Sequence, residues 1–191
     1  MSSENESSPS SSAEKTRRVF VALPVGDGLR SCYDALPKTG VGDARWNHVS
    51  DLHITVRFLG DLPCDEVDAV RDHLGRVKCQ SFGLEVSGFG VFDNKQAVLY
   101  ADVKSTRKMN NLVASVNETL QPLGFAMPLR PYVPHVTLLR TPQKRVLDQY
   151  IKKNTSKMRA QWTAQYFSLM ESGNHDENGR VYTEIQRYPM R

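Results

Sequence analysis

Two copies of one tripeptide pattern, His53-Ile54-Thr55 and His135-Val136-Thr137, carry the side chains best suited to chemistry in this chain. An imidazole has an ordinary pKa near 6.5, so two of them at neutral pH can supply one base and one acid together. Such a pair suits in-line attack on phosphorus. One ring takes a proton from the attacking water while the other gives one to the leaving ribose oxygen, each transfer contributing roughly 10²- to 10⁴-fold in rate. The threonine hydroxyls, two residues on, can donate to the non-bridging oxygens of the same phosphate and stabilise the charge that builds there. Acid, base and oxyanion donors are then all present without a metal. Catalytic zinc usually takes three protein ligands, and neither motif brings a second His, a Cys or a carboxylate at a suitable offset.

The elements that must position these groups are strands. The first motif lies in Leu52-His53-Ile54-Thr55-Val56-Arg57-Phe58-Leu59-Gly60 and the second in Pro134-His135-Val136-Thr137-Leu138-Leu139-Arg140, both rich in β-branched and apolar residues. Side chains alternate along a strand, so His53 and Thr55 share one face, as do His135 and Thr137. A polar pair on that face must border a cleft or find buried partners. Strict alternation also puts Arg57 on the face of Thr55, aimed at a bound phosphate or the adjacent nucleotide, and turns Arg140 away from His135 unless the strand end twists. Tyr132 can offer a stacking surface for a base or simply pack beside its prolines. His48 lies in a loop, His73 in an amphipathic helix and His175 in a polar turn, where solvent is the simpler partner. Asp65-Glu66 reads as complementing a helix dipole.

At 191 residues the chain can bury one core or form two small lobes that share it. Residues 1–15 are nearly all Ser, Glu, Asn and Pro, too poor in apolar side chains to offset the entropy of ordering, and are expected to be a disordered tail. The body, 16–191, is expected to be a single bilobal domain. Three glutamates and one lysine give the tail a charge of −2, which leaves +6 of the total +4 on the body and suits a phosphate-bearing partner. Cys32, Cys64 and Cys79 form no CxxC pair and are odd in number, so reduced thiols are expected. No apolar run is long enough to cross a bilayer and no secretory signal opens the chain, which points to a cytoplasmic protein.

Periodicity predicts a strand over 17–23, a helix over 27–36, the first motif strand, and a helix over 63–77 with Val67, Val70, Leu74 and Val77 on one face. It then predicts strands over 82–92 and 96–103 around the turn Asp93-Asn94-Lys95, and a helix over 106–120. The second motif strand is followed by a helix over 143–152, a strand over 163–171, a polar loop and a last strand over 180–187. Each half thus offers a helix, strands and a His-x-Thr strand, and an internal duplication would set the motif strands side by side across a groove.

The two motif segments closely resemble the signatures of the 2H phosphoesterase superfamily, in particular the LigT-type RNA 2′,3′-cyclic phosphodiesterases. Arg18-Val19-Phe20-Val21-Ala22-Leu23, Gly88-Phe89-Gly90-Val91-Phe92 with Val98-Leu99-Tyr100, and Tyr182-Thr183-Glu184-Ile185 add to the likeness, which spans nearly everything after the tail. The resemblance implies an α+β, bilobal LigT-like fold: two pseudo-symmetric lobes of antiparallel sheet with helices, around a central groove. It implies hydrolysis of RNA 2′,3′-cyclic phosphate ends to 2′-phosphates with no metal or other cofactor, and reversible 2′,5′ joining of RNA ends in some members. Carried onto this chain, His53 and His135 are the acid–base pair and Thr55 and Thr137 the phosphate ligands. His53 is assigned as the acid and His135 as the base, although the residues alone would serve either way round. Arg57 and Arg140 match positions of basic substrate contacts. The Ser-rich tail departs from the family pattern.

The expected partner is an RNA or oligonucleotide with a 2′,3′-cyclic phosphate end, bound by a monomer with no membrane association. The same four residues would also serve a phosphodiesterase acting on 2′,5′-linked oligonucleotides or other cyclic nucleotides. A non-catalytic nucleotide- or RNA-binding module is the alternative from another class, and two titrating imidazoles argue against it.

Overall fold

The computed structural model describes residues 16–93, 95–174 and 181–191. The expected tail, Asn94 of the predicted turn, His175 and Arg180 lie outside the described residues.

The first strand, β1 (Thr16–Pro24), places Val19, Val21 and Leu23 in the core, with Phe20 and Ala22 on its other side. Helix α1 (Asp27–Asp34) buries Leu29 and Tyr33. A two-residue strand, β2 (Arg45–Trp46), precedes the first motif strand, β3 (His53–Pro63). Pro63 immediately precedes α2 (Cys64–Leu74), where its fixed φ suits a helix entry; Asp65 and Glu66 occupy the first turn and Arg71 and His73 the last, as the helix dipole favours. Strands β4 (Phe82–Asp93) and β5 (Ala97–Val103) follow. Thr106 then caps α3 (Arg107–Leu120), its hydroxyl accepting the Met109 N–H at 3.2 Å. The second motif strand is β6 (His135–Thr141), followed by α4 (Arg145–Asn154).

The predicted strand over 163–171 is two strands, β7 (Arg159–Ala164) and β8 (Tyr166–Ser172), separated at Gln165. No glycine or proline marks the break, so the hydrophobic pattern reads through it. The chain closes with β9 (Tyr182–Pro189).

Among the described residues the strands form one antiparallel sheet in the order β7-β4-β5-β6-β3-β1-β8-β9, with β2 paired to β6 off this path. The sheet is bilobal because its centre is thin: β3 and β6 pair at Ile54 and Val136 alone. One lobe is β3-β1-β8-β9 and the other β6-β5-β4-β7, each starting from a His-x-Thr strand and running outward. The lobes are not successive halves of the sequence, however. β8 and β9 return to the first lobe after the second is finished.

The main core crosses this seam. Leu23, Ile54 and Val136 pack with Val67, Val70 and Leu74 of α2 and Met109, Leu112, Val116 and Leu120 of α3. A smaller cluster lies under α4, where Leu147 and Tyr150 cover Leu99 and Leu139. With α2 and α3 covering the core face at the seam, the opposite face is left open.

Candidate active site

Antiparallel pairing of Ile54 with Val136 sets the register of the two motif strands. Continued by one residue in each direction, it puts His53 opposite Thr137 and Thr55 opposite His135. Ile54 and Val136 point into the core, so the four polar side chains form a quadrilateral on the open face. All four line one cavity of about 280 Å³. Exchanging the two motifs leaves that arrangement unchanged, which is the local expression of the two-lobed sheet.

Each imidazole is held in the same way. His53 Nδ1 lies 2.7 Å from the Asp51 carbonyl oxygen and His135 Nδ1 lies 2.8 Å from the Val133 carbonyl oxygen. A carbonyl only accepts, so both rings carry hydrogen on Nδ1 and leave Nε2 as the titrating nitrogen. His53 Nε2 is 3.1 Å from Thr55 Oγ1. Aromatic rings flank each histidine: Phe20 and Tyr182 at His53, with centroids 4.8 and 5.0 Å away, and Phe92 and Tyr100 at His135, at 4.8 and 5.3 Å. Burial lowers the pKa of both histidines, and the Arg140 guanidinium lowers both further. Opposing this, the Asp51 carbonyl and its charge raise His53, and the Val133 carbonyl raises His135.

Arg140 lines the cavity, although strict alternation turns it away. The reason is a β-bulge. Leu99 pairs with Leu139 and Tyr100 with Thr137, so Leu138 is an extra residue, and beyond it the alternation is reset. Leu138 and Leu139 are both buried and Arg140 emerges beside the motif.

The same device corrects the face expected for Arg57. Ala22 pairs with Thr55 and Val21 with Arg57, leaving Val56 as a bulge. Arg57 therefore does not share the face of Thr55, and it is absent from the walls of the cavity that holds the four motif side chains. One guanidinium nitrogen donates to the Ala126 carbonyl at 2.6 Å, and the side chain lines a larger neighbouring cavity. Tyr132 is also tied down: its hydroxyl donates to the Thr55 carbonyl at 2.9 Å, and burial pushes its pKa up. That bond makes it a clamp on the first motif strand rather than a free stacking surface. His48 is occupied locally, its Nδ1 2.7 Å from Ser50 Oγ, and His73 Nδ1 lies 2.9 Å from the Ala69 carbonyl within α2.

Sequence reasoning missed several residues of the cavity. Arg18, Asn47 and Tyr182 line the small cavity. Asn47 reaches it by donating from Nδ2 to the Thr137 carbonyl at 2.9 Å. Tyr182 is fixed by Asp51, whose buried carboxylate accepts the Val181 and Tyr182 N–H groups at 3.0 and 3.4 Å. Asp51 thus secures the His53 ring through its carbonyl and the neighbouring tyrosine through its carboxylate. Its signal was position, two residues before the motif, but only the return of β9 gives that position meaning. Among the described residues no three His, Cys, Asp or Glu side chains converge as a metal site, and no helix is long and apolar enough to cross a membrane. Cys32, Cys64 and Cys79 are thiols.

A family model described as the 2′-5′ RNA ligase superfamily matches residues 29–176. The chain is 28% identical over 160 residues to an RNA 2′,3′-cyclic phosphodiesterase of Archaeoglobus fulgidus, covering 81% of this chain and 90% of that protein. It is 29% identical over 133 residues to an RNA 2′,3′-cyclic phosphodiesterase of Geobacillus stearothermophilus, covering 66% of this chain but 42% of that longer protein. In fold it is similar to E. coli LigT complexed with 3′-AMP, at TM-score 0.69 and 21% identity, over 92% of this chain and 99% of the other.

Proposed function

This chain belongs to the 2′-5′ RNA ligase superfamily, and from that premise we propose that it is an RNA 2′,3′-cyclic phosphodiesterase that opens the ring to a 2′-phosphate. The observation that carries this reading is the quadrilateral of two imidazoles and two hydroxyls around one small cavity. The relatives named RNA 2′,3′-cyclic phosphodiesterase support the same substrate.

The reaction needs one water and no net change of protons. The water oxygen attacks phosphorus as His135 Nε2 removes its proton. The bond from phosphorus to the ribose 3′ oxygen breaks, and that oxygen takes a proton from His53 Nε2. Thr55 and Thr137 donate to the non-bridging oxygens, and Arg140 offsets the negative charge that accumulates on them. His53 is taken as the ring that begins protonated, as the family resemblance implies; burial and the charges of His135 and Arg140 lower its pKa, while the charge of Asp51 raises it. Nothing in this scheme passes through a metal. Both motifs come from one chain, which supports a monomeric enzyme, and its substrate is consistent with a cytoplasmic one.

The test is a short RNA ending in a 2′,3′-cyclic phosphate, incubated with the protein with and without EDTA. The expected product is the 2′-phosphate, formed at the same rate in both. His53→Ala and His135→Ala should each lower kcat by roughly 10²- to 10⁴-fold while leaving the circular dichroism spectrum unchanged. Loss of activity in EDTA, or appearance of the 3′-phosphate, overturns the scheme.

A further inference from the structure

The catalytic cavity opens onto a second one of about 800 Å³, and the two share Thr55, Phe58 and His135. The larger cavity runs between α3 and the segment over 127–133 that leads into β6. Its walls are mostly apolar, and they hold three of the four large hydrophobic side chains exposed among the described residues: Phe58 at 51%, Met127 at 46% and Val133 at 44% of full accessibility. Apolar surface left in water beside a catalytic centre marks a binding groove.

The polar groups along the groove are unusual in two ways. Arg57 Nε and Asn117 Oδ1 are both buried and neither has a hydrogen-bond partner among the described residues. Asn117 is 94% buried as a residue, so its orphaned oxygen costs stability that a ligand would restore. A donor and an acceptor thus lie unpaired just beneath apolar walls, where a small side-chain movement turns them to the edge of a neutral planar heterocycle. Arg130, exposed on the rim, adds a positive charge suited to a phosphodiester.

Size selects among the ligands with these properties. A cavity of about 280 Å³ is at the small end of ligand pockets, enough for the phosphate and its sugar. The adjoining 800 Å³ exceeds what a single base requires. Resting on the function proposed above, we infer that this groove seats the RNA strand that leads into the reacting phosphate. Its bases lie against the apolar walls, Asn117 and Arg57 address the edge of a base upstream of the terminal nucleoside, and Arg130 meets the linking phosphate. The enzyme therefore distinguishes the end of a strand from a free cyclic mononucleotide.

The experiment compares kcat/KM for adenosine 2′,3′-cyclic phosphate with that for a trinucleotide ending in the same group. Wild-type protein should favour the trinucleotide by at least about 10-fold, the value of one stacked base. Asn117→Leu and Arg130→Glu should each lower the trinucleotide value through KM by about 5- to 10-fold and leave the mononucleotide value within about 2-fold. Arg130 is exposed, so its variant keeps the test valid if Asn117→Leu fails to fold. Equal wild-type values, or variants that lower both substrates alike, overturn the groove assignment while the catalytic reading stands. If neither substrate is turned over, the catalytic reading falls. Fluorescence anisotropy with a labelled trinucleotide ending in a 2′-phosphate then decides the groove: binding weakened by both variants supports it, and binding absent or unaffected overturns it.

Discussion

At the scale of single residues, the two motif histidines are equivalent in mounting and unequal in electrostatics. Each is fixed through Nδ1 by the carbonyl two positions earlier, at Asp51 and at Val133. Burial holds both below the ordinary imidazole pKa. In the free enzyme both rings are therefore mostly neutral at pH 7, and the acid must hold its proton against that bias. The protonated fraction grows as pH falls, while the base is lost only below its own lowered pKa. The bell of kcat/KM, which reports the free enzyme, should peak on the acid side of 6.5 and decline through neutrality. Removing the Arg140 charge relaxes both depressions, so Arg140→Gln should move the peak toward higher pH while reducing its height. An unmoved peak across a pH series would show that Arg140 does not face the rings. The histidines and threonines themselves were legible in the sequence, because a two-residue spacing on a strand means a shared face. Asp51, Asn47 and Tyr182 were not, because their roles depend on which backbone groups and rings come to meet them.

At the scale of elements, irregularity in the strands decides which side chains reach the site. Alternation placed Arg57 inside and Arg140 outside, and the bulges at Val56 and Leu138 reverse both placements. A bulge has no signature in a run of valines and leucines, so this information was not readable from composition. The elements themselves largely were, apart from the break at Gln165 and the short β2. Glycine has a comparable hidden role in β4. Gly90 pairs across from Tyr100, and a Cβ built there would lie 2.2–2.4 Å from the tyrosine ring. That ring also stacks on Phe92 and meets His135 edge-on. Gly90→Ala should therefore displace Tyr100, cost about 1–3 kcal/mol by urea unfolding and lower kcat. Gly83→Ala in the same strand meets nothing within 4 Å and should leave kcat unchanged. Equal kcat for the two variants would show that Tyr100 does not steady the second imidazole.

At the scale of the whole molecule, the site is expensive to keep. Two neutral imidazoles are held below the pKa near 6.5 that they recover when the chain unfolds. The unfolded chain then binds more protons between the folded pKa values and 6.5, so stability is complete above that window and falls as the solution is acidified through it. The urea midpoint should drop between pH 7 and pH 5, and His53→Asn with His135→Asn should flatten that drop. An identical pH dependence in the double variant would mean that other groups govern it. The bilobal sheet around a groove was legible from the motif pair and its family likeness, but the interleaving of the lobes was not. The second lobe is the continuous stretch from β4 to β7, nested between segments that build the first. A nascent chain leaving the ribosome can thus finish the second lobe before the first is whole. Tyr182 and the backbone that Asp51 grips arrive only with β9, so the pocket around His53 is complete only after the second lobe has been made and β9 has folded back onto β8.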